Sequence, residues 1–379
     1  MMLPASAGSP SLLPRRIPMI ATKVTSKTGT QAGSRAQTWH NHDRSSLRPF
    51  NSRDNQKCDG NNTRMNGQFV ISLDFELLWG VRDHADRDSY GKNVLGARTA
   101  VPKMLELFAK NGISATWATV GFLFCETKEE LLASLPSELP TYSNPRLSNF
   151  SYLDEVGKDE RSDPYYFAPS LISEIQQTPG QEIGTHTLSH YYCLEDGQSI
   201  SAFEADIVAA KKIADARGIA LRSIVFPRNQ FAVEHLTVCA KHGITHYRGN
   251  PSPWAYRAAK GTEQTSMRRA LRLLDAYSGV LGSQAFEAIS GQPKDVPASR
   301  FLRPCAGRLA AFHPLHIATI KRGMTAAARD GKGYHLWWHP HNFGQNLEAN
   351  LDGLSQIIRH FATLRDRFGM QSTAMEGTE

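Results

Sequence analysis

Two histidines, His186 and His190, stand four residues apart in the stretch Gln181–His190, read QEIGTHTLSH. On a helical turn, side chains at i and i+4 share a face, so both imidazoles could reach one cation. Imidazole is the commonest ligand for zinc-type metals. Asp74 and Glu76 lie in a second stretch, FVISLDFELLWG. Side chains at i and i+2 of a strand point the same way, so the two acids share a side at the strand's C-terminal mouth. That arrangement is costly unless a metal or a proton offsets the charge. A third stretch, GYHLWWHPHNFG, carries His339 and His341, which face one way if the segment is extended. Taken singly, the histidine pair could cap a turn and the acids could be a solvated strand end. Taken together, the three stretches favour a metal centre with acid–base groups beside it.

Elements that could bring these residues together are legible along the chain. Phe69–Leu73 is apolar and β-branched, as a buried strand requires. An amphipathic helix is predicted over Ala97–Asn111, with Gly112 at its end. Ile113–Val120 is the next strand; strand-then-helix order resumes around Leu171–Gln177, and Glu182–Gly184 then leads into the histidines. Further helices are predicted at Ala202–Arg217, Val233–His242, Leu315–Arg329 and Leu347–Phe368, and a shorter one at Arg268–Ala276. Further strands are predicted at Arg222–Phe226, Ile244–Tyr247 and Gly333–Trp338. Six or seven such units imply an α/β fold, a closed or nearly closed parallel barrel with its chemistry at the C-terminal ends of the strands. Two irregular stretches, about 126–167 and 249–300, read as insertions that shape the pocket.

Charge and composition exclude several classes. The net charge of +7 belongs to residues 1–66, which hold ten Lys/Arg and three Asp/Glu; the rest of the chain is balanced. A nucleic-acid-binding surface would need a basic excess in the folded part. Residues 1–66 are rich in Ser, Asn, Gly, Pro and Arg and are expected to be a disordered extension, with Met65 as an alternative start. No apolar run is long enough for a transmembrane helix. No secretory apolar region is recognisable either, so a cytoplasmic location is expected. Five scattered cysteines give no disulfide framework.

The stretches SLDFELLWG, ATWATVGFLF, EIGTHTLSH, FPRNQF and LWWHPHNFG occur in the order found in the polysaccharide deacetylase family, the NodB-type fold. The chain resembles that family from about residue 67 to 365, and HTLSH is the most specific match. The resemblance implies a distorted (β/α)7-type parallel barrel, a single domain over 67–368. It implies a hydrolase of non-peptide carbon–nitrogen bonds that removes an acyl group from an amino sugar with one divalent ion. Zinc is the first choice, with cobalt, nickel and iron as alternatives. Carried across, Asp74 is the base, Glu76, His186 and His190 hold the metal, and His339 is the acid that protonates the leaving amine. Phe75 stands where the commoner pattern has a second aspartate, so either Asp74 or Glu76 could take the metal. Arg228 is expected to orient the base carboxylate, although FPRNQ departs from the usual R-x-P-Y order. Asn229 and Gln230 are assigned to sugar hydroxyls. His341 competes with His339, and Trp79 could stack on a sugar ring, although core packing is the better reading for it. The expected partner is a carbohydrate or a nucleotide- or lipid-linked amino sugar. The rival readings are an allantoinase-like hydrolase of a small amide and a non-catalytic carbohydrate-binding relic.

Overall fold

The computed structural model of the protein describes residues 66–379. The expectations for the N-terminal extension, Met65 and Cys58 included, fall outside those residues. In chain order the elements are β1 (Gln68–Phe75), α1 (Arg87–Asn111), β2 (Ala115–Thr119), α2 (Lys128–Ala133), α3 (Pro169–Gln177), β3 (Gln181–Thr185), α4 (Ile200–Asp215), β4 (Ser223–Ile224), α5 (Val233–Lys241) and β5 (His246–Tyr247). There follow α6 (Ser266–Ser278), β6 (Lys294–Asp295), β7 (Arg300–Phe301), α7 (His313–Asp330), β8 (Gly333–Trp338), α8 (Leu347–Phe368) and β9 (Gln371–Thr373).

The strands pair in parallel in the order β6-β5-β4-β3-β2-β1-β8-β7, and β9 pairs with the first residues of β1. The expected parallel barrel is therefore an eight-strand curled half-barrel, open between β6 and β7. Residues 296–299 are too few for a helical crossover and run across the opening instead. There Val296 N–H donates to the Tyr247 carbonyl (2.9 Å), Ala298 N–H to that of Gly249 (2.9 Å) and Ser299 N–H to that of His335 (2.8 Å).

Alternation along β1 sorts its side chains. Phe69, Ile71, Leu73 and Phe75 enter the main apolar core beneath the helices, and each such burial contributes about 1.5–3 kcal/mol. Val70 packs in a separate cluster with Ala118, Val225 and Val296, on the inside of the curl. Ser72 and Asp74 follow Val70 on that side, and Glu76 lies just beyond the strand end. The sheet thus lifts a short polar column to its C-terminal rim.

Helix α1 starts well before the predicted Ala97. Its first turns are polar, so apolar periodicity misses them; a capping box between Asp86 and Ser89 sets the start, and Gly112 ends the helix at φ 62°. The two stretches expected to be irregular differ from each other. Residues 126–167 hold α2 and short helical turns tied to α1 by Arg98–Glu160 and Arg87–Asp163 ion pairs. Residues 249–300 contribute α6, β6 and β7, the last two only two residues long and too short for a periodicity to register. Among the described residues no helix is long and apolar enough to cross a membrane, and Cys125, Cys193, Cys239 and Cys305 are free.

Candidate active site

His186 and His190 do meet, but not on a helix. After β3 the chain runs through a loop in which Thr187 and His190 adopt left-handed φ of 64° and 60°. The loop is pinned from several sides. Its backbone bonds to the loop after β2, with Gly121 N–H donating to Thr187 (2.9 Å) and Phe122 N–H to Leu188 (3.1 Å). The Asn149 amide donates to both the Ser189 and Trp79 carbonyls (2.9 Å each). Asp206 of α4 accepts from the backbone N–H of Leu188 (2.6 Å) and Ser189 (3.2 Å), and from the Ser189 hydroxyl. Complete burial pushes the Asp206 carboxyl up to about 6, against the pull of these donors.

Glu76, His186 and His190 are buried, and their ligand atoms lie within 4.8 Å of one another. His186 Nε2 is 3.2 Å and His190 Nε2 3.1 Å from Glu76 Oε2. His186 Nδ1–H donates to the Val225 carbonyl at 2.7 Å, which fixes the tautomer and turns the lone pair of Nε2 toward Glu76. A carboxylate this close to two ring nitrogens is met either by a proton on the rings or by a metal cation between them. Burial alone would raise the Glu76 carboxyl, but the nearby His339 and hydrogen bonds from His186 and His190 hold it well below the usual range. Burial depresses the basicity of His190, the Glu76 contacts notwithstanding. His190 Nδ1 is buried without a partner among the described residues. Two imidazoles and one carboxylate, converging and buried, are a donor set suited to Zn, Co, Ni or Fe(II). Gly80 leaves the room for it, since a Cβ there would overlap the Glu76 carboxyl group.

Asp74 is engaged elsewhere. Arg248, fully buried just past β5, grips it with two guanidinium nitrogens at 2.6 and 2.8 Å. Burial works to raise the Asp74 carboxyl, but the charge and hydrogen bonds of Arg248 bring it below its ordinary value. The same guanidinium donates to Ser72 Oγ (3.0 Å) and Asn229 Oδ1 (2.9 Å) and lies over the Trp337 ring. Ser72 Oγ also contacts His335 Nε2 (2.8 Å), whose Nδ1–H donates to the Val296 carbonyl (3.1 Å). His335 is thus a satisfied structural histidine.

His339 Nε2 lies 3.7 Å from Asp74 Oδ2 and 3.6 Å from Glu76 Oε1, and its side chain is 24% exposed, the most of the four site histidines. Asn342 Nδ2 approaches His339 Nδ1 at 3.4 Å. An amide donor there leaves the ring proton on Nε2, the atom facing the carboxylates. His341 is buried, stacks on His339 with centroids 5.0 Å apart, and reaches Glu76 only at 4.0 Å. Burial and the neighbouring His339 pull His341 down to about 3.

Several expected contacts differ. Arg228 does not touch Asp74. It sits in a turn with Asn229, both at positive φ, which aims its guanidinium at Asp83 and Glu195 and over the Tyr192 ring. Arg248 takes its place at Asp74. The signal for Arg248 was its position, directly after a predicted strand at the rim where barrel chemistry gathers. Asn229 lines the groove but spends its oxygen on Arg248. Gln230 is fully buried and bonded to Glu195 and the Ala259 carbonyl, so it is unavailable to a sugar. Trp79 is also fully buried, its Nε1–H donating to the Tyr166 carbonyl (2.9 Å); it is a core residue. A groove of about 430 Å³ gathers Asp74, Glu76, His186, His190, His339 and His341.

The polysaccharide deacetylase family model matches residues 88–247. That span includes His186 and His190 and stops just short of Arg248. Among solved structures, a Mycobacterium smegmatis protein classed with the polysaccharide deacetylases superposes with a TM-score of 0.51 at 11% identity, covering 82% of this chain and 88% of that one. A family 4 carbohydrate esterase from Streptomyces lividans gives 0.38 at 12% identity, with 82% and 93% covered. Puue allantoinase gives 0.46 at 11% identity, with 82% and 87% covered. No curated protein matches the chain.

Proposed function

We propose that this chain, whose residues 88–247 match the polysaccharide deacetylase family, is a metal-dependent hydrolase that removes the acyl group from an N-acylated amino sugar, taken free or on a nucleotide or lipid carrier. The observation that carries the proposal is the division of the two acids: Glu76 faces two imidazoles while Asp74, in the same groove, is held by Arg248. Glu76, His186 and His190 would hold one divalent ion, whose Lewis acidity would supply an activated water near neutral pH and polarise the acyl group. Asp74 is left free of the ligand set and accepts the proton of the attacking water. Arg248 keeps that carboxylate ionised and fixes its direction. His339, with its proton on Nε2, donates to the nitrogen as the carbon–nitrogen bond breaks. The products are the carboxylic acid and the free amine. Phe301 and Trp337 flank the His339 ring, with centroids 5.7 and 5.8 Å away, and wall the groove on that side.

The test is acid release from a panel of N-acyl amino sugars by the purified chain, with a cyclic ureide included for the allantoinase-like reading. Release from a sugar that falls at least about 100-fold in His339→Gln, with metal content unchanged, is expected. Full activity in that variant, or hydrolysis of the ureide alone, would overturn the proposal. Stoichiometric metal with no turnover of any member would favour the carbohydrate-binding relic.

A further inference from the structure

Beside the catalytic groove lies a second cavity of about 260 Å³, and the two share Arg228, Asn229, Phe301, Trp337 and His339 in their walls. Five arginines line the second cavity, at 228, 257, 272, 300 and 303, and no Asp or Glu does. Two of the five are already neutralised. Arg228 pairs with Asp83 and Glu195, and Arg300 with the buried Asp275. The other three form no ion pair among the described residues. Arg272 donates only to the Ala255 carbonyl (3.3 Å) and the Gln264 side chain (2.9 Å). Arg257 and Arg303 make no side-chain hydrogen bond among the described residues. These three arginines line the cavity without an acidic partner, beside Tyr256, Phe301 and Trp337.

Gathering three unmatched cations in one concavity works against folding through mutual repulsion, and an anion offsets that cost on binding. At Arg272, burial and then the nearby Arg268 and Arg269 depress the guanidinium below its ordinary value, adding further positive charge near the cavity. Three charges also exceed what one carboxylate can match. A phosphate monoester carries about −1.5 to −2 at pH 7 and presents several acceptor oxygens to planar arginine forks. The cavity adjoins His339, the proposed acid, so a group seated there would be attached close to the reacting amine.

We infer that this arginine-lined cavity is a subsite for the diphosphate of a carrier-linked amino sugar, whose acyl nitrogen then lies at His339. The inference rests on the deacylase reading for the sugar and on the cavity alone for the anion. The diphosphate could join the sugar to a nucleoside or to a polyprenyl lipid; the chemistry at the arginines is the same.

The experiment uses the full chain loaded with metal, and a double variant, Arg257→Gln with Arg303→Gln, which removes two guanidinium groups that hold nothing else in the fold. Binding of inorganic pyrophosphate is measured by calorimetry. Kinetics are measured on a neutral N-acetylhexosamine, a nucleoside-diphosphate N-acetylhexosamine and a polyprenyl-diphosphate N-acetylhexosamine. Wild type is expected to bind pyrophosphate, and the double variant, with its metal content intact, about 10- to 100-fold more weakly. The variant's KM for at least one diphosphate sugar should rise by a similar factor, with kcat and the neutral-sugar parameters unchanged; which carrier responds identifies the source. Pyrophosphate binding that is absent from wild type or equal in the two proteins would overturn the inference. Arginine-dependent pyrophosphate binding with no sugar deacylated would uphold the subsite and overturn the deacylase reading.

Discussion

Replacing Asp206 by alanine should weaken the proposed metal site without touching a candidate ligand. Its carboxylate accepts the backbone N–H groups of Leu188 and Ser189 and the Ser189 hydroxyl, the residues between His186 and His190. Alanine strands two buried N–H donors, each at about 1–3 kcal/mol, so the expected loss of stability is about 2–6 kcal/mol in urea unfolding. The loop should loosen and metal affinity fall about 10- to 100-fold, read by chelator competition. Asparagine keeps one acceptor oxygen and should cost less on both counts. The pH dependence gives a second reading. Burial raises the Asp206 carboxyl to about 6 from an ordinary value near 3.8. Between those two values the folded state therefore binds more protons than the unfolded state, and the residue's contribution to stability falls as pH rises, levelling above about pH 6. The stability of wild type relative to the non-titrating Asp206→Asn should drop by up to about 3 kcal/mol between pH 4 and pH 7. An alanine variant within about 0.5 kcal/mol of wild type, with full metal affinity, would refute the argument.

Arg248→Ala leaves the Asp74 carboxylate buried and unpaired, which should cost about 3–5 kcal/mol of stability by denaturant titration. With burial unopposed the carboxyl rises, so the acid limb of the kcat/KM profile should move to higher pH; Arg248→Lys, which restores charge but not the two-pronged grip, should shift it less. Gly80→Ala drives a methyl group into the Glu76 carboxyl group, and metal analysis should find the variant depleted while its near-ultraviolet circular dichroism stays native-like. Asn342→Ala frees the His339 ring to change tautomer, and should lower kcat severalfold with little change in KM.

Most of the scaffold was legible because its long elements carry strong periodicity. β8 and α8 have the predicted bounds, and the side-by-side direction of Asp74 and Glu76 followed from strand alternation. Elements of two residues, such as β6 and β7, have no period to read. The polar start of α1 was visible only as a cap. At the site, residue types and order pointed to Glu76, His186, His190, Asp74 and His339, and the geometry assembles all five. It could not show that a loop with two left-handed residues, rather than a helix, joins the histidines. Nor could it choose between arginines: Arg228 sits where a motif looks for one, while Arg248 reaches Asp74 from the next strand, a contact 174 residues apart in sequence. Gln230 was misplaced for a related reason, since an amide side chain beside a motif does not reveal whether it faces the groove or the core; for Trp79 the core, the favoured of its two readings, is where it lies.

The central claim is that Glu76, not Asp74, completes the ligand set with His186 and His190. Metal content per chain, measured on purified wild type, Glu76→Gln, His186→Ala and Asp74→Asn, tests it most directly. The account predicts about one divalent ion in wild type and in Asp74→Asn, the latter inactive, and little in the other two variants. An ion retained by Glu76→Gln and lost from Asp74→Asn would contradict it.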